Sequence, residues 1–318
     1  MKKLFTKRHL YGVCVFFVCS CGCLLYLHHT QKSQNSKKTK LSEIFVSIPP
    51  PDLVILEDFF QSLFVYHNLG YVLYGDKPMI TISYNNPLFS QSFDLYSMEP
   101  ENLKMKKGME CWRKYHKLFS SENFISVFFG DPSKDENIEL ILINKSKFIN
   151  VVETNLDKFK PVFGKDVTGK QLLTKLINEK DFWTCNLDYE MIGILLGYGK
   201  INAHYFQRRS DINPKFYGWK FTLKKLLRSP SPGYTCIEDE MVDLQNCFHP
   251  LEDDNHLDGG FMDLPGFLAV DSTETQKLKE DFEQQRKQMI KIYRNGSYFK
   301  KSMRKYVGSD SSNRQLLP

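Results

Sequence analysis

Two short segments place chemistry-bearing side chains beside glycine. Gly75-Asp76-Lys77-Pro78 offers an ammonium group and successive backbone N–H groups at a corner, an arrangement that holds anions when it closes into a nest. It lacks the further glycines and the Lys-Ser/Thr pair of a phosphate-binding loop. The same residues suit a plain hairpin turn, with Asp76 in a left-handed position and Pro78 opening a strand. Gly197-Tyr198-Gly199-Lys200 is the second segment, followed by Asn202 and His204. Glycines two residues apart admit close approach by a partner segment or a ligand. Gly193 and Gly197 share one helix face, which suits tight packing. The candidate ligand-binding set is Asp76, Lys77, Tyr198, Lys200, Asn202 and His204, gathered in one cleft where the two segments meet. The competing reading is a turn and a packed kink.

The remaining reactive groups lack a recognisable spacing. Residues Cys236 to Asp263 are acidic, without Lys or Arg, and include Cys247, His249 and His256. His and carboxylate side chains bind Zn²⁺ or Ca²⁺, but the order matches neither a zinc finger nor an EF-hand loop, and no metal or cofactor is assigned. The stretch reads as a solvated acidic loop that pairs with the basic final helix. Cys111, Cys185, Cys236 and Cys247 remain after the amino-terminal cysteines. Four cysteines allow three disulfide connectivities; Cys236–Cys247 would staple the irregular loop, and buried free thiols are the alternative. No Gly-x-Ser-x-Gly elbow is present, so no catalytic residue is named.

The elements that must position these residues follow from periodicity and punctuation. Asp52 suits the cap of a helix to His67, with Leu53, Leu56, Phe60, Leu63 and Phe64 on one face and Gly70 as its left-handed end. Tyr71–Tyr74 and Met79–Tyr84 read as strands joined at the Gly75 corner. Residues 99–119 read as a helix with Met105, Met109, Trp112, His116 and Phe119 inward; Gly108 weakens it. Phe124–Phe129 and Ile138–Ile143 form a hairpin across a polar turn. Three helices follow. Ser146 caps the first, which ends before Pro161; Thr168 and Gln171 form a capping box on the second; Asp188 caps the third. The third runs into Gly197-Tyr198-Gly199 as helix, kink, helix. Residues 211–263 read as irregular. Asp271 and Glu274 open a long helix, and Gly296 separates it from Tyr298–Tyr306. Strands interleaved with more helix give an α+β class, with short antiparallel strands packed on several helices.

The amino terminus has a different character. Lys2, Lys3, Lys7 and Arg8 precede Leu10–Leu27, an apolar run without formal charge. As a helix it rises ~27 Å, near the ~30 Å hydrocarbon core of a bilayer. The basic flank keeps the amino end in the cytoplasm and the bulk outside. Three readings fit: a retained single-pass anchor, a lipoprotein signal acylated at Cys21 or Cys23, or a cleaved signal peptide. Residues 28–51 are a polar spacer ending in Pro49-Pro50-Pro51. Residues 52–306 form one globular domain, with a possible subdivision near residue 165, and 307–318 a tail. The formal charge is +6, of which the first four basic residues supply four. The remaining +2 argues against a nucleic-acid partner.

Gly70-Tyr71-Val72-Leu73-Tyr74-Gly75-Asp76-Lys77-Pro78 and residues Gly193 to Phe206 together carry a resemblance, joined by Leu264-Pro265-Gly266-Phe267. The chain resembles a family of envelope or signal-bearing proteins from intracellular bacteria of the chlamydial kind, for which no activity is established. The resemblance implies an envelope protein and transfers no catalytic residue. The expected protein is a bacterial, membrane-anchored extracytoplasmic domain that binds a protein or a small ligand. The alternative is a tethered, hydrolase-like enzyme whose cleft lies between the Gly75 turn and the Gly197–Gly199 kink.

Overall fold

The computed structural model describes residues 41–85, 100–132, 134–135, 137–179, 182, 187–212, 231–233, 240, 242–243, 247, 249–250 and 264–308. The apolar amino-terminal run with Cys21 and Cys23, residues 309–318 of the tail, Cys185, Cys236 and most of the acidic loop lie outside the described residues, while Val307 belongs to the last helix. Among the described residues no helix is long and apolar enough to cross a membrane.

The fold is α+β, built around a three-stranded antiparallel sheet of order β1-β3-β2, with β1 Met79–Asn85, β2 Phe124–Phe129 and β3 Asn137–Asn144. The hairpin predicted from the sequence forms β2 and β3, with Val127 opposite Ile141. β1 pairs with the far side of β3, Ile80 opposite Leu142 and Ile82 opposite Leu140. Both faces of the sheet are covered, so Leu140–Ile143 is buried throughout and reads as a continuous apolar run instead of an alternating one.

One face carries Ile80, Ile82, Tyr84, Leu140 and Leu142. It packs on α1 (Pro50–Tyr66), α2 (Leu69–Leu73), α3 (Pro100–Tyr115) and two later helices, α9 (Thr273–Tyr293) and α10 (Tyr298–Val307). Trp112 sits at the centre, edge-on to Phe60 at 5.2 Å and to Tyr306 at 6.2 Å, while its indole N–H donates to Ser126 Oγ. Ring pairs of this kind add about 0.5–1.5 kcal/mol each beyond the area they bury. The other face carries Met79, Val127, Ile141 and Ile143. It packs on α4 (Lys145–Thr154), α5 (Leu156–Phe163), α6 (Gly169–Asn178), α7 (Tyr189–Leu195) and α8 (Lys200–Ile212). A two-residue ribbon, β4 (His249–Pro250) with β5 (Leu268–Ala269), completes the elements named here.

Several expectations need correction. Tyr71–Tyr74 is no strand: residues 69–73 are a buried helical turn, with Tyr74 N–H donating to Gly70 O. A short run that is apolar on every side has no periodicity to separate strand from helix. The left-handed residue that ends α1 is Asn68, φ 63°, and Gly70 instead makes room for Phe64 and Met289. Pro49 occupies the cap position of α1. Asp52 lies in the first turn and accepts from the Tyr115 hydroxyl and from Lys114, which hold its carboxyl below the usual range. The single helix expected after Ser146 is two, broken at Asn155, and its cap is Asn144, whose side chain accepts from Lys147 N. Pro161 lies inside α5. Ser272, not Asp271, caps α9. The capping box of Thr168 with Gln171 and the cap at Asp188 form as the sequence predicts.

Gly108 illustrates how packing outweighs propensity. A Cβ there would lie 2.4 Å from Cδ2 of Phe59, where α3 crosses α1. Propensity alone gives Gly108→Ala about 1 kcal/mol of added stability. Overpacking costs roughly 1–3 kcal/mol, so the variant is expected to unfold at lower urea with an unchanged m-value. A higher midpoint would show that the helices are not in close contact there.

A candidate binding site at the glycine kink

The corner after α2 is tight because two amides share one acceptor: Gly75 N–H and Lys77 N–H both donate to Tyr71 O at 3.2 Å. Gly75 is needed for proximity, since Oε1 of Gln285 from α9 would lie 1.9 Å from a Cβ. Asp76 points outward, is paired with Lys147, and accepts from Gln285 Nε2 at 3.4 Å. Lys77 points inward and is 1% exposed.

At the kink, α7 ends in a Schellman arrangement. Tyr198 N–H donates to Gly193 O and Gly197 N–H to Ile194 O, both at 3.0 Å, with Gly197 at φ 77°. This geometry satisfies two of the carbonyls that a helix end leaves open. A third, Leu196 O, accepts from Lys77 Nζ at 2.6 Å. A lysine from the corner before β1 therefore finishes the carboxy-terminal end of a helix 119 residues further on, where a positive group is favoured by the helix dipole. Gly199, φ 86°, leaves room for Glu274 of α9, whose carboxylate accepts from Lys200 N–H and Ile201 N–H at 3.0 and 2.7 Å. The amino-terminal end of α8 is thus capped by a neighbouring helix.

The two glycine-bearing segments touch. A Cβ on Gly197 would lie 2.9 Å from Pro78 Cδ, so the segments pack together at that point instead of enclosing a cleft. Of the six candidates, Lys77, Tyr198 and Asn202 converge behind the kink. Lys77 Nζ stands 4.4 Å from the centroid of the Tyr198 ring, a cation–π distance. Asn202 is 1% exposed and engaged at both ends of its amide: Nδ2 donates to Tyr198 O, and Oδ1 accepts from Val270 N–H and Thr275 Oγ1. The other three face elsewhere. Lys200 Nζ meets Asp157 at 2.8 Å on the surface. His204 is exposed, 3.3 Å from Glu190 Oε1, which Lys158 also reaches. Asp76 borders a polar cleft of ≈ 590 Å³ that includes Asn123, Lys147, Gln285, Gln288 and Lys305.

An apolar cavity of ≈ 250 Å³ lies between α7 and α8, lined chiefly by Ile192, Gly193, Leu196, Tyr198, Phe206 and Phe267. Phe267 stacks on the Tyr198 ring at 4.7 Å. Sequence reading did not assign Phe267, Ile192 or Phe206 to a site. Phe267 falls in the Leu264–Phe267 block, and the Gly193 spacing marks the cavity's floor: a Cβ there would meet Ala203 Cβ at 2.8 Å.

Elsewhere, Glu240 holds Arg208 of α8 through two 2.6 Å bonds and accepts from Ser231 N–H and Oγ. These contacts hold its carboxyl down to about 2. This acidic residue is therefore tied to α8 and not to the final helix. Cys247 is an exposed free thiol, and Cys111 is buried, its thiol pushed up to about 11. Among the described residues no three His, Cys, Asp or Glu side chains cluster to hold a metal.

Burial lowers the Lys77 ammonium from 10.5 to about 7, and no other cause contributes. Between those values the unfolded chain binds a proton that the folded chain does not, so stability from this group rises with pH across the window. Below pH 7 both states are protonated and the folded state carries the full cost of a buried charge. Lys77→Met is expected to flatten the rise in urea midpoint between pH 7 and 10. An unchanged slope would show that Lys77 is solvated.

In comparisons with protein families, curated proteins and solved structures, nothing matches this chain.

Proposed function

We propose that this is a membrane-tethered binding domain on the extracytoplasmic side of a bacterial envelope, and that it takes a small aromatic ligand in the cavity at the glycine kink. The observation that carries the reading is the cavity lining. Its walls are aliphatic and aromatic, and the Asn202 amide within them is engaged by the protein itself. Dry apolar cavities of about 150 Å³ admit benzene, so ≈ 250 Å³ suits a substituted ring. The Tyr198–Phe267 pair supplies ring faces for it. The tether rests on the charge-free Leu10–Leu27 run behind a basic flank. Binding is favoured over catalysis because Lys77, the buried amine nearest the cavity, does not line it. That same amine is the specific observation behind the second reading, a tethered enzyme.

Gly266 provides the test. It borders the cavity, and a Cβ there meets nothing within 4 Å, so Gly266→Leu has room for its first side-chain carbon and adds bulk at the cavity's edge. Benzyl alcohol at a hundredfold excess over its Kd stabilises a protein by about 2.7 kcal/mol. The wild-type chain is expected to gain a thermal shift of that order, and Gly266→Leu to lose it while melting normally without ligand. Equal shifts in both proteins, or none in either, would place the ligand elsewhere or remove it. For the tether, protease added to spheroplasts is expected to degrade the domain; full protection there, lost on lysis, would reverse the assigned side.

A further inference from the structure

We propose that Lys77 is a gated nucleophile, and that an apolar aromatic aldehyde bound in the kink cavity forms an imine with its Nζ when the Tyr198 side chain swings aside. The inference rests on the reading of that cavity as a ligand site and adds the ligand's reactive group.

Three observations meet here. Lys77 Nζ contacts two wall residues at once, Leu196 through its carbonyl oxygen at 2.6 Å and Tyr198 through its ring at 4.4 Å. Both residues line the cavity, so the amine stands one side chain behind the wall. Second, among the described residues no carboxylate pairs with the amine, and its 1% exposure keeps water away. Amines become nucleophilic when desolvated in this manner. Burial alone holds its pKa down to about 7, which leaves it largely neutral at pH 8. Third, the gate is flanked by glycine on both sides, Gly197 and Gly199. Phe267, the stacking partner of the ring, also borders the cavity.

The step balances without a co-reactant. Nζ releases Leu196 O and adds through its lone pair to the carbonyl carbon, forming the C–N bond as the C=O π pair moves to oxygen. That oxygen takes a proton from the nitrogen, giving the neutral carbinolamine. It then leaves as water with the second amine hydrogen, and the nitrogen lone pair closes the C=N bond. An apolar cavity favours this last step because it expels the water formed.

The experiment uses the full wild-type chain with benzaldehyde at pH 8, followed by borohydride, which converts an imine to a stable benzylamine. Peptide mass spectrometry then reads occupancy at each lysine, with Lys134, 77% exposed, as the solvent reference. Calorimetry with benzyl alcohol, which cannot form an imine, runs in parallel. Lys77 is expected to be labelled about tenfold more than Lys134, and Gly266→Leu to suppress the Lys77 label alone. Tyr198→Ala is expected to speed Lys77 labelling. If benzyl alcohol binds and the label falls only on exposed lysines, the nucleophile is refuted and the binding site stands. If neither compound binds, both readings fall.

Discussion

The contact between Lys77 Nζ and Leu196 O is the constraint to which the rest of the architecture answers. An amine removed from water needs an acceptor, and a helix end needs donors for its last carbonyls. Each satisfies the other's requirement here, across the junction of the sheet and the helices on its second face. The glycines follow from it. Gly197 must be bare for Pro78 to approach, and Gly75 must be bare for Gln285 to cover the corner. Asn144 closes the other side of the same corner, its N–H on Pro78 O and its amide on Val72 O. Function, on the reading offered above, grows out of the same junction, because the aromatic ring that shields the amine is also a wall of the cavity.

Much of the fold was legible in the sequence where local chemistry decides. The β2–β3 hairpin, the Thr168–Gln171 box, the Asp188 cap and the break at Gly197–Gly199 depend on residues within a few positions of one another. The site was legible only in part, because its residues are assigned by distant neighbours. Lys77 stands beside an aspartate in a polar corner, which locally reads as a solvated turn. Its burial is decided by a helix end 119 residues away. Asn202 and His204, two positions apart, point to different sides of one helix, and the packing of α8 against the segment from Val270 to Thr275 decides that the first is buried and the second exposed. Glu274 shows the same limit. In sequence it belongs to the start of its own helix, while in space it caps another.

Glu274 is one of several such arrangements. Glu153 of α4 accepts from Gly169 N–H at the start of α6, Gln207 of α8 from Tyr189 N–H at the start of α7, and Glu57 of α1 from Tyr298 and Phe299 N–H at the start of α10. Among the described residues, the beginnings of α6, α7, α8 and α10 thus each take an acceptor from a side chain on another helix. Such caps contribute little to an isolated helix and become available only after docking.

The order of folding is a consequence. Glu57 and Tyr298 are 241 residues apart, so α1 leaves the ribosome well before the helix it must meet. Contacts of such sequence separation slow folding, because the chain must close a long loop before they repay it. Until then α1 exposes Phe59, Phe60 and Phe64, all buried in the finished protein. Nascent chains with uncovered aromatic surface are prone to aggregate. The Glu57 cap thus makes the start of α10 conditional on α1, and a chain cut before α10 would strip Phe299 from Phe60 and Tyr298 from Phe64.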